Sequence, residues 1–111
     1  MLREQLLNRI QSIYGEPTRV TKKVNAWHIF TQFGFVVEVD TPKDGAYANV
    51  WLPKSNNEVD LRGVEFTYYP EEKGRHSNTY STPGLAKGEP ALKLKIKTAS
   101  DINAFFDYLA F

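Results

Sequence analysis

The sequence predicts an α+β fold in which a helix stands at each end of an antiparallel sheet of about five strands. Three observations carry this. Apolar residues recur at helical spacing near both ends of the chain. Through the middle they alternate with polar residues at period two. Glycine, proline and Asp-Gly turn signals separate the alternating stretches.

The elements follow in order. Leu2, Leu6, Leu7, Ile10, Ile13 and Tyr14 form one face of an amphipathic helix, with Arg3, Glu4, Asn8, Arg9 and Gln11 on the other. Gly15 and Pro17 end it. Thr18 to Asn25 is basic and polar and reads as an extended lead-in or a short strand. In Ala26 to Thr31, Trp27 and Ile29 share one face and His28 and Phe30 the other. Gln32-Phe33-Gly34 reads as a turn. Phe35, Val37 and Val39 then alternate with Val36, Glu38 and Asp40, as in a half-buried strand. Pro42-Lys43-Asp44-Gly45 is a turn signal, with proline preset for the first central position. Ala48, Val50 and Leu52 alternate with Tyr47, Asn49 and Trp51. Pro53 to Asn57 is a polar loop. Val59 to Tyr69 reads as a strand interrupted by a bulge at Gly63. Leu92, Leu94 and Ile96 alternate with Lys93, Lys95 and Lys97. Ser100 stands where a helix N-cap belongs, with Asp101 in the first turn. Ile102, Phe105, Phe106 and Leu109 give the last helix its apolar face.

Both helices must bury an apolar stripe, and the sheet offers one fully apolar face, so both are expected on that face. The other face is then partly open. It is lined by Tyr47, Trp51, His28 or Phe30, Glu38, Asp40 and the three lysines. The 111 residues fit a single domain spanning 1–111, and the 14% aromatic content suffices for a core.

Composition narrows the function classes. The absence of cysteine excludes disulfides, zinc ribbons and thiol catalysis, and in so short a chain leans towards a cytoplasmic setting. No apolar run is long enough to span a bilayer, so no membrane partner is expected. Met1 to Gln5 holds no continuous apolar stretch of the secretory kind. A net charge of +1 argues against a whole-surface polyanion binder, but the charge is unevenly spread. Residues 58–72 carry five acids against Arg62, and residues 73–97 carry six bases against Glu89.

The segment from Pro70 to Pro90 holds three of the six prolines and three of the seven glycines, and little that is apolar. A loop this long in so short a chain is commonly functional or disordered. Lys73, Arg75, His76, Asn78, Tyr80 and Lys87 offer donors suited to phosphate oxygens, Arg75 through a bidentate fork. The plainer reading is a solvated hairpin connection. Gly84-Leu85-Ala86-Lys87-Gly88 lacks the order of a phosphate-binding Walker loop. Lys93 and Lys95, with Lys97, form a basic stripe that suits a phosphate backbone, with Trp51 and Tyr47 as stacking platforms. The competing reading is that edge-strand lysines block aggregation. His76 is the one candidate general acid–base, for a metal-independent nuclease. Glu38, Asp40 and Asp44 are the best carboxylate group for a metal, but no Asp followed by Glu-x-Lys completes a nuclease pattern. No metal or cofactor is expected.

No motif is specific enough to assign a family. The leading expectation is a non-enzymatic binding module whose 73–87 loop and open sheet face contact nucleic acid or another phosphate-bearing ligand. The alternatives are a protein-interaction module, an inhibitor or accessory subunit using the same aromatics as hot spots, and the His76 nuclease. A second copy of the chain is among the partners weighed.

Overall fold

The computed structural model describes residues 1–30, 33–54, 61, 63–71, 73–75 and 77–109. The elements run α1 (Leu2–Tyr14), β1 (Arg19–Val20), β2 (Val24–Phe30), β3 (Phe33–Glu38), β4 (Ala48–Pro53), β5 (Glu65–Tyr69), a 3₁₀ turn at Ser77–Thr79, β6 (Ala91–Ile96) and α2 (Ala99–Leu109). The fold is α+β, as expected, with six strands. The added strand is the short pair Arg19–Val20, which lies antiparallel to Asn25 and Ala26. The sheet is antiparallel throughout, in the order β1-β2-β3-β4-β6-β5.

Helix α1 stops where Gly15 adopts φ 82° and returns its N–H to the Gln11 carbonyl at 2.9 Å, a backbone shape that glycine takes without a Cβ penalty. The Gly15 carbonyl then accepts the Trp27 indole N–H at 3.0 Å, which ties the helix end to β2. The first turn of α1 is held by the predicted β3–β4 turn. The Arg3 guanidinium donates to the Pro42 carbonyl at 2.6 Å, and the Arg3 N–H to the Gly45 carbonyl at 3.1 Å.

The N-cap of α2 is Thr98, two residues before the expected Ser100. Its Oγ1 accepts the Asp101 N–H at 3.1 Å, and the Asp101 carboxylate accepts the Lys97 N–H at 2.9 Å. The reciprocal pairing of a capping threonine with an acid three residues on satisfies two donors at once. Gly63 lies in a turn ahead of β5, where the Val64 N–H reaches the Leu61 carbonyl at 3.1 Å. Residues 59, 60 and 62 of the expected longer strand lie outside the described residues.

Period two sorts the strands as the sequence predicts, except that Phe33 and Gly34, expected in a turn, open β3 and pair with β2. Trp27, Phe35, Val37, Ala48, Val50, Leu52, Leu92, Leu94 and Ile96 face the helices and form one buried cluster with Leu6, Ile10, Ile102 and Phe105. Both helices therefore lie on one face of the sheet. Phe35 sits at the centre of this layer, stacked on Trp27 at 5.6 Å and edge-on to Phe105 at 5.5 Å. Among the described residues, no helix is long and apolar enough to cross a membrane.

Candidate functional site

The opposite face of the sheet divides into two halves. Over β2, β3 and part of β4, the described part of the 70–90 segment folds back and seals the sheet. Val24, Ala26, Val36, Trp51, Leu85 and Ala91 form a second buried cluster, with Tyr69 packed on it. Leu85, the largest apolar side chain between Tyr80 and Pro90, is fully buried there. Gly34 permits the approach. A Cβ at that position would lie 2.7 Å from the Thr82 methyl and 2.7 Å from the Trp27 carbonyl oxygen.

This overturns the expected role of Trp51. Its indole is 2% exposed, and it donates to the Glu38 carboxylate at 2.6 Å. It is a core residue under the loop and has no face free for stacking. Glu38, read as the head of a carboxylate group, is likewise buried and engaged by that indole, while Asp40 is exposed and Asp44 accepts the Ala46 N–H at 3.0 Å. Among the described residues, no group of three or more histidine or acidic side chains is gathered for a metal.

Arg75 is also corrected. It is 7% exposed and donates inward, to the Glu89 carbonyl at 2.8 Å, to Thr79 Oγ1 at 3.0 Å, to the Leu85 carbonyl and, at 3.4 Å, to Ala86. Its guanidinium lies 5.2 Å from the Tyr80 ring centre. The fork that suits a phosphate is spent on the carbonyls and a hydroxyl of its own loop. Asn78 contributes its main-chain oxygen to the Arg19 guanidinium. Lys73 and Lys87 are exposed, and His76 lies outside the described residues. The described part of the loop is therefore a lid over the sheet, with Arg75 turned inward. His28 Nε2 and Thr82 Oγ1 are buried without a hydrogen-bond partner among the described residues.

The other half, over β4, β6 and β5, stays open. Here the structure brings together part of the expected set. Lys93 and Lys95 project from β6 on the face that also carries Asn49 and Trp51 on one side and Glu65 and Thr67 on the other. The Lys95 ammonium stands 4.4 Å from the Tyr47 ring centre, and the Lys93 ammonium 5.3 Å from that of Trp51. Each ring's negative face steadies one cation and restricts its stem. The two lysines, with Thr41, Tyr47, Asn49, Glu65, Phe66, Thr67 and Tyr69, line a depression of about 280 Å³. Glu65 pairs with Lys97 at 3.2 Å, and among the described residues neither Lys93 nor Lys95 has an ion-pair partner.

Sequence reasoning missed Asn49, Thr41 and Thr67 as lining residues. Asn49 was legible, since it alternates with Tyr47 and Trp51 and is a buried amide in a strand. Thr67 was not, because its place depends on β5 pairing with β6. Also missed were Phe66 and Tyr68, which are 52% and 46% exposed on the free edge. Compared with known proteins, the chain matches no family model, no curated protein and no solved structure, so what it does is argued from its own geometry.

Proposed function

We propose that the protein is a non-enzymatic binding module that takes a phosphate-bearing ligand, in the form of a nucleic-acid strand, on the open half of its sheet. The observation that carries this is the pair Lys93 and Lys95, held side by side over Trp51 and Tyr47 without an ion-pair partner among the described residues. Residues two apart on a strand lie about 6.6 Å from each other, so both ammonium groups can reach one phosphate or two successive ones. Asn49, Thr41 and Thr67 supply neutral donors around them. The depression is about half open to solvent, which suits a backbone passing over it better than a small molecule enclosed by it. His76 carries no part of this reading, and a cytoplasmic setting accords with a chain free of cysteine.

The test is titration of a fluorescent single-stranded oligonucleotide across a salt series. Two neutralised phosphates give a slope of about −1.4 in log K against log salt. Lys93→Ala combined with Lys95→Ala is expected to remove most of the affinity while leaving the circular dichroism unchanged. Competition by a mononucleotide and by inorganic phosphate distinguishes a strand from an isolated phosphate. Binding that is absent at 50 mM salt, or indifferent to both lysines, refutes the reading.

A further inference from the structure

We infer that the free edge of β5 is a self-association surface on which a second copy of this chain adds its own β5 antiparallel, extending the sheet across a two-fold axis at Thr67. This inference goes beyond the phosphate reading and stands independently of it.

The sheet treats its two edges differently. At one end, β1 is only two residues long, carries Arg19, and is followed by Lys22 and Lys23. Short length and basic side chains are the usual means by which a protein blunts an edge. At the other end, β5 is five residues long and has no lysine, arginine or proline, and Glu65 is its one charge. Among the described residues, no strand pairs with its outer side. Residues 65–68 are all exposed, and Phe66 and Tyr68 present rings on the helix side of the edge, beside Leu94 and Leu92.

The occupant is argued from the strand's own symmetry. The middle of the strand, Phe66-Thr67-Tyr68, is aromatic-threonine-aromatic in both directions about Thr67, while the ends differ and set Glu65 opposite the second copy's Tyr69. A two-fold there sets Phe66 opposite the second copy's Tyr68, and Tyr68 opposite its Phe66. It makes two cross-strand aromatic pairs, which are among the favoured pairings in sheets. Thr67 meets its own mate. The two Glu65 carboxylates fall at opposite ends of the pairing, about 13 Å apart, beyond the screening length of about 8 Å at physiological salt. No like charges are forced together.

The size of the contact sets its strength. Four half-exposed rings contribute roughly 400 Å², and even with the paired backbone this stays below the ~1,200 Å² of stable interfaces. A weak, concentration-dependent dimer follows, of the transient kind found at the low end of interface size. The axis stands perpendicular to the sheet, so both copies would present Lys93 and Lys95 on the same side of one continuous surface.

The experiment combines sedimentation velocity, from about 10 µM to about 1 mM protein, with oxidative cross-linking. The chain has no cysteine, so single substitutions are unambiguous. Directly opposed Cα atoms lie about 4.5–5.5 Å apart, within the disulfide range of about 4.4–6.8 Å. Thr67→Cys is therefore expected to link at least tenfold faster than Glu65→Cys, whose mate is at the far end. Phe66→Lys, at an exposed position outside the core, is expected to keep its circular dichroism and lose the dimer. A monomer at about 1 mM, equal linking rates at 65 and 67, or a dimer that survives Phe66→Lys would each overturn the inference.

Discussion

Replacing Arg75 by leucine removes the centre of the lid without altering the sheet beneath it. Among the described residues, the wild-type guanidinium makes three close hydrogen bonds, to the carbonyls of Glu89 and Leu85 and to the hydroxyl of Thr79, and one longer bond to Ala86. Bonds from a charged donor are individually worth about 1.5–3 kcal/mol. Part of that returns when the freed acceptors gain water, since Ala86 to Glu89 are exposed residues. Counting about 1 kcal/mol for each close bond gives a loss of about 3 kcal/mol. With a urea slope of about 1.5 kcal/mol per molar for a chain of this length, the midpoint falls by about 2 M. The assay is equilibrium urea unfolding followed by far-ultraviolet ellipticity. Arg75→Lys keeps the charge and loses the fork, so it should recover a third to a half of the loss. If Arg75 were instead a ligand contact, the leucine variant would unfold where the parent does. A midpoint shift below about 0.4 M would refute the reasoning.

Two other predictions come from the same layer and from the opposite one. Gly34→Ala sets a Cβ against the Thr82 methyl and the Trp27 carbonyl, of which the second cannot move without disturbing β2; a loss of about 2 kcal/mol, or about 8 °C in Tm by calorimetry, is expected. Burial raises the Tyr14 phenol above its ordinary 10.0. The unfolded chain therefore ionises first, and the contribution of this group is complete below pH 10 and lost as pH rises through the folded value. Tyr14→Phe should accordingly flatten the alkaline decline in stability, measured by urea midpoints on either side of pH 10.

Much of the fold was legible because period-two alternation is a local property of the chain. Leu92, Leu94 and Ile96 declared their face without knowledge of their neighbours, and so did Phe35 and Val37. Which strands lie beside them was not legible. Strand β6 inserts between β4 and β5, a pairing set by tertiary packing, and the depression around Lys93 exists only because of it. The lid was misread for a related reason. An arginine that bridges its own loop and one that awaits a ligand look alike in sequence. The signal that told them apart was Leu85, an isolated apolar residue in a polar stretch that needed a buried seat. Trp51 was assigned to the correct face, but whether that face is covered depends on how the loop returns. The capping residue of α2 was misplaced by two positions because Thr98 and Ser100 both carry suitable hydroxyls, and only the reach to Asp101 decides between them.

The two tryptophans lie on opposite sides of the same sheet, Trp27 among the helices with its N–H on Gly15 and Trp51 beneath the lid with its N–H on a carboxylate. The molecule thus carries two separate optical channels, one for each layer. In a Trp27→Phe background, red-shifted emission reports the lid lifting. In a Trp51→Phe background, it reports the helices parting from the strands. Comparing the two would show whether the layers come away together or one before the other.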